Sequence, residues 1–394
     1  MKSSVRELPA TRQELVRKLL TFLQVELKPE EETALRRTPA PISGSYDLYL
    51  RARAMLRGFS AERPQPVIDA FLQAVHADSF YAEAHSGLGW AYVLAYEADR
   101  KASERYLTEA RWSVQRALSI TQRNAETFRT WGVVELYGGQ RAKAVERLEQ
   151  AVAIAPSDAE SQRRLAIVAL AAGRKEEALK AAQRAVVDDP GSVDSYTVLA
   201  EIQQYVGDYK GASQNYDLGL RLAVDKSEYA SAGLVDALVL LQQHDRAIEI
   251  LQDRLARVRS SYEDYYKLAR VQQLAGRTKA EWFSALQKAR AMVEERIKEN
   301  PQDAEAFSWK AMIHTRLGEF KDANAALKRA QEIDPTDVAV LYNGACMYAR
   351  QLDKAQALEL LKRAVERRYS LSRILDMDFY NLRSEPDFQH IVSR

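Results

Sequence analysis

From about Tyr46 to Ser370 the apolar residues recur at spacings of three and four, which predicts amphipathic helices rather than strands. The helices are short and come in pairs, because the pattern is punctuated at regular places. Gly139, Gly173, Gly207, Gly276 and Gly318 stand where a first helix must stop and reverse. Pro156, Pro190, Pro301 and Pro335 stand where a second helix must end. Asp158 and Asp337 suit the cap of the helix that follows. Small residues fill fixed slots between these marks. Gly132, Ala166, Ala200, Ala269, Ala311 and Ala345 let a partner helix approach from one side; Ala144, Ala178, Ala212, Ala247, Ala323 and Ala357 do so from the other.

The punctuation is periodic. Trp131-Gly132, Ala144, Leu148, Ala151 and Pro156 are followed 34 residues later by Leu165-Ala166, Ala178, Ala182, Ala185 and Pro190. The register continues through Leu199-Ala200 and Tyr216, although Val224 replaces the expected proline, and then through Leu234-Val235, Leu268-Ala269, Phe307–Pro335 and Leu341–Ala364. Upstream it includes Leu88-Gly89 with Ala110, and Tyr46–Arg53 with Phe71. About nine units result. The predicted fold is therefore all-α, a solenoid of about nine helix hairpins with helical caps. Residues 1–45 form an N-terminal helical cap or linker, residues 46–370 the solenoid, and residues 371–394 a C-terminal cap. Leu15, Leu19, Leu20, Phe22 and Leu23 give the first cap an apolar face, while Phe379, Leu382, Phe388 and Ile391 can cover the last helix pair. The period is disturbed at Gly58–Pro66, Leu94–Ala110 and Ala275–Ala291. The uninterrupted stretches Tyr96–Arg116 and Trp282–Ile297 predict lengthened helices there.

These slots resemble the tetratricopeptide repeat, which implies a right-handed superhelical solenoid. In that family the first helix of each hairpin lines a concave surface, and residues one and five places past the first bulky slot point into it. The resemblance thus implies a peptide-binding groove containing Arg129, Val133, Tyr137, Arg163, Arg164, Ile167, Glu201, Tyr205, Tyr266, Arg270, Met312, Arg316 and Tyr342. Trp90 occupies a similar place. Arg129, Arg163 and Arg164 form a basic cluster suited to an acidic or carboxylate-ended segment. The tyrosines offer rigid amphipathic contact surface. No unit has the Lys-then-Asn pair by which some family members clamp a chaperone tail, which argues against that ligand.

A second resemblance concerns the ends. Arg36-Arg37-Thr38-Pro39 with Tyr46–Arg53, and Lys362–Tyr369 with Asp376, Asp378, Leu382-Arg383-Ser384 and Pro386-Asp387-Phe388, are similar to the borders of the repeat region in bacterial multidomain signalling proteins. There a Ser/Thr kinase, winged-helix or cyclase domain comes first. Only about 45 residues precede the repeats here, too few for such a domain.

Composition narrows the picture. The 57 basic and 55 acidic residues leave a formal charge of +2, which gives no global reason to expect nucleic acid or an anionic membrane. No apolar run is long enough to span a bilayer, and Met1-Lys2 is not followed by the apolar stretch of a signal peptide, so a cytoplasmic location is expected. Cys346 is the only cysteine, which excludes an intrachain disulfide, and it falls in a small-residue helical stretch. The histidines His76, His85, His244, His314 and His390 are scattered, and no phosphate-binding glycine loop, zinc motif or nucleophile elbow occurs. No catalytic, cofactor or metal site is expected. The sequence reads as a non-catalytic scaffold binding protein or peptide, in bacterial signalling or complex assembly. The alternatives are the regulatory half of a larger enzyme or transcription regulator, and a structural subunit of a stable complex.

Overall fold

The computed structural model describes residues 18, 22, 43–57, 63–98, 103–121, 123–223, 228–257, 261–366, 377–382 and 384–392. Among them there is no strand. Among the described residues, eighteen helices follow one another as nine successive pairs, eight of them with their two members in direct contact, an all-α repeat fold of the solenoid class. They are α1 (Ser43–Arg57), α2 (Gln65–Ala77), α3 (Ala82–Ala98), α4 (Ser103–Ile120), α5 (Ala125–Tyr137), α6 (Arg141–Ile154), α7 (Ala159–Ala171), α8 (Lys175–Asp188), α9 (Val193–Val206), α10 (Tyr209–Leu222), α11 (Glu228–Leu240), α12 (His244–Arg257), α13 (Tyr262–Leu274), α14 (Lys279–Glu299), α15 (Ala304–Leu317), α16 (Phe320–Ile333), α17 (Val338–Arg350) and α18 (Lys354–Glu366). A 3-10 helix, Met377–Leu382, and α19 (Pro386–Val392) follow. The expected first-cap helix lies outside the described residues, apart from Lys18 and Phe22, and so does Val224.

The punctuation acts as its chemistry requires. Gly139, Gly173, Gly207, Gly276 and Gly318 all have positive φ, between 67° and 91°, the left-handed turn that ends five of the first helices. Asn124, Ser192, Asp208, Ser261, Asp303 and Asp337 cap helix starts by accepting from backbone N–H groups of the first turn. Pro156, Pro190, Pro301 and Pro335 each follow the C-cap residue of a second helix. Every small slot from Ala144 to Ala357 that holds alanine is fully buried. At Gly132 a Cβ would come within 2.6 Å of Leu148 Cγ and 3.0 Å of the Ala144 carbonyl oxygen, so α5 and α6 touch closely there.

The chain divides into two compact units, residues 1–168 and 169–394, with the division inside α7. The core of the first is built on Ile68, Phe71, Leu88, Ala91 and Val134, and its first helices α3 and α5 pack on each other as well as on their second helices. The core of the second runs through Leu234, Leu238, Leu251, Leu286, Ile313 and Leu341 to Phe379 and Phe388. There α9 packs on α11, and α15 on α17. Consecutive first helices thus build a common face within each unit. The 3-10 helix lies on α17, and α19 on α18. The lengthened helices are present in altered form. α14 has 21 residues, as the Ala275–Ala291 irregularity predicts. The Tyr96–Arg116 stretch is two helices, because α3 ends at Ala98 and α4 starts at Ser103. No described helix is long and apolar enough to cross a membrane.

Candidate functional site

In the first unit, α3, α5 and α7 bring Trp90, Arg129 and Arg164 together. Trp90 is 6% exposed. The guanidinium carbons of Arg129 and Arg164 lie 5.0 and 4.7 Å from its ring centroid, within the range of cation–π attraction. Carboxylates close the cluster. Arg129 pairs with Asp158 at 2.8 Å and Glu126 at 3.4 Å. Arg164 pairs with Glu97 at 2.8 Å and Glu160 at 2.9 Å, and Arg163 also holds Glu160. Arg53 reaches Glu126 at 2.7 Å. The Tyr137 hydroxyl donates to Glu97 at 2.6 Å, with its ring 4.7 Å from that of Tyr96.

The three arginines expected to attract an acidic segment are therefore gathered, and each already has an acidic partner within the chain. Four arginines, counting Arg53, meet the four carboxylates of Glu97, Glu126, Asp158 and Glu160. Burial disfavours the charge on Arg164, but Glu97 and Glu160 outweigh it and raise its pKa. Burial likewise opposes the charge on Glu160, while Arg164 and Arg163 pull its pKa down to about 2. Part of this pairing is legible in the sequence, because Glu126 precedes Arg129, and Glu160 precedes Arg163 and Arg164, by one helical turn. Glu97 and Asp158 arrive only through tertiary packing. Val133 is core, whereas Ile167 is 37% exposed.

In the second unit the expected positions are mostly buried. Glu201 and Tyr205 on α9 are half-buried, and the Lys175 ammonium lies 5.2 Å from the Tyr205 ring centroid. Arg270 is buried and pairs with Asp236, one repeat upstream, at 2.8 Å. Met312 is core. Tyr266, Arg316 and Tyr342 belong to one assembly on α13, α15 and α17. Nη2 of Arg316 donates to the Tyr266 hydroxyl and to Asp378 Oδ1, both at 3.0 Å, and Nη1 donates to Gln273 Oε1 at 3.0 Å. Arg350 adds a contact to Asp378 at 3.3 Å. Burial raises the Tyr266 pKa to about 12. It also opposes the charge on Asp378, but Arg316, Arg270 and Arg350 hold that carboxyl below its ordinary value. Phe379, the next residue, sets its ring 5.7 Å from Tyr342, edge to face. The groove positions alone do not point to Asp378. The signal was an Asp-Phe pair in the expected cap.

His314, one of the histidines scattered along the sequence, has an acidic neighbourhood. Its Nδ1 lies 2.5 Å from Glu319 Oε2, and with Asp322 these groups present three potential ligand atoms within 4.8 Å of one another. Arg290 Nη1 stands 3.8 Å from the same Glu319 oxygen. The guanidinium supplies positive charge where a cation would sit, and the imidazole–carboxylate contact accounts for the rest, so no metal is assigned.

Two segments, residues 129–193 and 285–338, match the tetratricopeptide repeat family. No curated protein sequence matches the chain. Among solved structures, the human IFIT1 dimer with PPP-AAAA aligns over 92% of this chain and 79% of its own, at 14% identity and a TM-score of 0.52. PilF of Pseudomonas aeruginosa aligns over 58% of this chain and 96% of its own, at 15% identity and a TM-score of 0.44. At such identities the likeness to IFIT1 is one of fold, a tetratricopeptide-like repeat.

Proposed function

We propose that the chain is a non-catalytic scaffold that holds protein or peptide segments on the face built by its first helices, in bacterial cytoplasmic signalling or complex assembly. One observation carries this reading. The segment Met377–Leu382 already lies on that face, with Asp378 taken by Arg316 and Arg350, Phe379 by Tyr342, and Asn381 donating to the Ala349 carbonyl at 2.8 Å. The bacterial setting rests on the resemblance of Lys362–Phe388 to the tails of signalling arrays. In the first unit an acidic partner segment would exchange with Glu97, Glu126, Asp158 or Glu160 rather than meet bare arginines. Nucleic acid is not proposed, although human IFIT1 is seen with PPP-AAAA. The formal charge is only +2, and the clustered arginines are neutralised within the chain.

Affinity capture from the native host tests the reading with two exposed aliphatic residues. Ile167 is on a first helix, at a groove position, and Val187 is on a second helix, 67% exposed. Ile167→Glu should remove a co-purifying partner that Val187→Glu retains. Equal capture by both variants would sink the first-helix face as the binding surface.

A further inference from the structure

We propose that the first-helix face of the last three hairpins recognises a short segment in which aspartate is followed by phenylalanine. The proposed partner is another protein exposing such a segment, and Asp378-Phe379 of this chain is an internal ligand that the partner displaces. The proposal deepens the scaffold reading and rests on it.

The receptor side has contacts of its own besides those to its occupant. Arg316 is held by the Tyr266 hydroxyl and by Gln273 Oε1, and its guanidinium carbon lies 4.7 Å from the Tyr266 ring centroid. An arginine fixed in this way loses little freedom when a carboxylate arrives, which is how preorganisation raises affinity. Two successive first helices reach one carboxylate oxygen, through Arg316 and Arg350, and a third helix holds Arg316 in place. Tyr266 and Gln273 come from α13, Arg316 from α15 and Arg350 from α17. The aromatic position is equally defined. Phe379 is fully buried, between Tyr342 at 5.7 Å and Phe388 at 5.8 Å. A charged anchor beside an aromatic anchor is the usual composition of a binding hot spot.

Two features of this contact favour exchange of its occupant. Nε of Arg316 is buried and makes no hydrogen bond, so the internal segment leaves one strong donor of the receptor unused. A ligand that also offers an acceptor there would bind better than the resident one. The resident contact also rests on buried charge, where desolvation offsets much of the Coulomb attraction. It is made by a six-residue 3-10 helix, 62 residues from Arg316 in the chain.

The test uses the full chain and a fluorescent synthetic peptide of residues 371–392, read by anisotropy. If the internal segment competes, the peptide should bind a Asp378→Asn/Phe379→Ala chain at least about tenfold more tightly than the wild-type chain, because the competing occupant is weakened. A peptide carrying Asp378→Asn should lose that binding, as should the chain when Arg350→Gln is added. Equal binding to wild-type and double-variant chains would overturn the proposal. So would loss of helical dichroism in the double variant, since the segment would then be part of the fold. If wild-type chains self-associate and the peptide separates them, the occupant is a second copy and the assignment to another protein fails. Failure here leaves the Ile167 test of the general scaffold reading intact, so the two are distinguishable.

Discussion

Leu352 stands one repeat after Gly318 and carries the same left-handed backbone, with φ of 64° against 81°. Four other repeats place glycine at this turn, and glycine meets it without strain. A leucine there costs roughly 1–2 kcal/mol. Its side chain is 73% exposed, so little burial compensates. Leu352→Gly should relieve that strain, less roughly 0.5–1 kcal/mol for the freer unfolded chain. A net gain of about 0.5–1 kcal/mol is expected in chemical denaturation. A lower midpoint for the glycine variant would show that Leu352 makes contacts that outweigh its backbone.

Ala178 is fully buried at a close-approach slot, whereas Lys180, two residues on, is exposed. Ala178→Leu should cost roughly 1–3 kcal/mol through overpacking. Lys180→Ala should stay within about 0.5 kcal/mol. Because repeats couple mainly to their neighbours, the loss should appear as a broadened or split transition. Denaturation curves of equal midpoint and shape would mean the slot assignment is wrong.

Glu160 gives the first unit a pH dependence. Its pKa falls from 4.5 to about 2 on folding, so the carboxylate's contribution is fully present above pH 4.5 and is lost as pH drops toward 2. Glu160→Gln removes that contribution, on the order of a few kcal/mol. Melting curves should therefore separate wild type from the variant at pH 6 and converge near pH 2. A gap that stays constant over this range would mean Glu160 is not held by Arg163 and Arg164.

Cys346 is fully buried in α17. Its thiol should react with an aromatic disulfide reagent only as the last repeats open, and the rate should rise with denaturant. Rapid stoichiometric labelling of the folded chain would contradict the packing of α17.

The sequence by itself determined most helix boundaries and the close contacts, though not the break between Ala98 and Ser103. Those depend on neighbours at fixed spacing: a glycine that accepts positive φ, a proline that cannot continue a helix, an alanine that lets a partner approach. It also placed the candidate positions on first helices. What it could not decide was the state of those positions. Arg129, Arg163 and Arg164 read as a basic surface because their charges are visible in the sequence, while Glu97 and Asp158, which neutralise two of them, come from other hairpins. Arg316 and Tyr342 read as open groove because nothing local marks them as occupied. The occupant, Asp378-Phe379, lies 62 residues beyond Arg316. Repeat periodicity fixes what each hairpin does to its neighbour. Pairing between charges far apart in the chain is set by how the hairpins stack, and only the tertiary structure decides it.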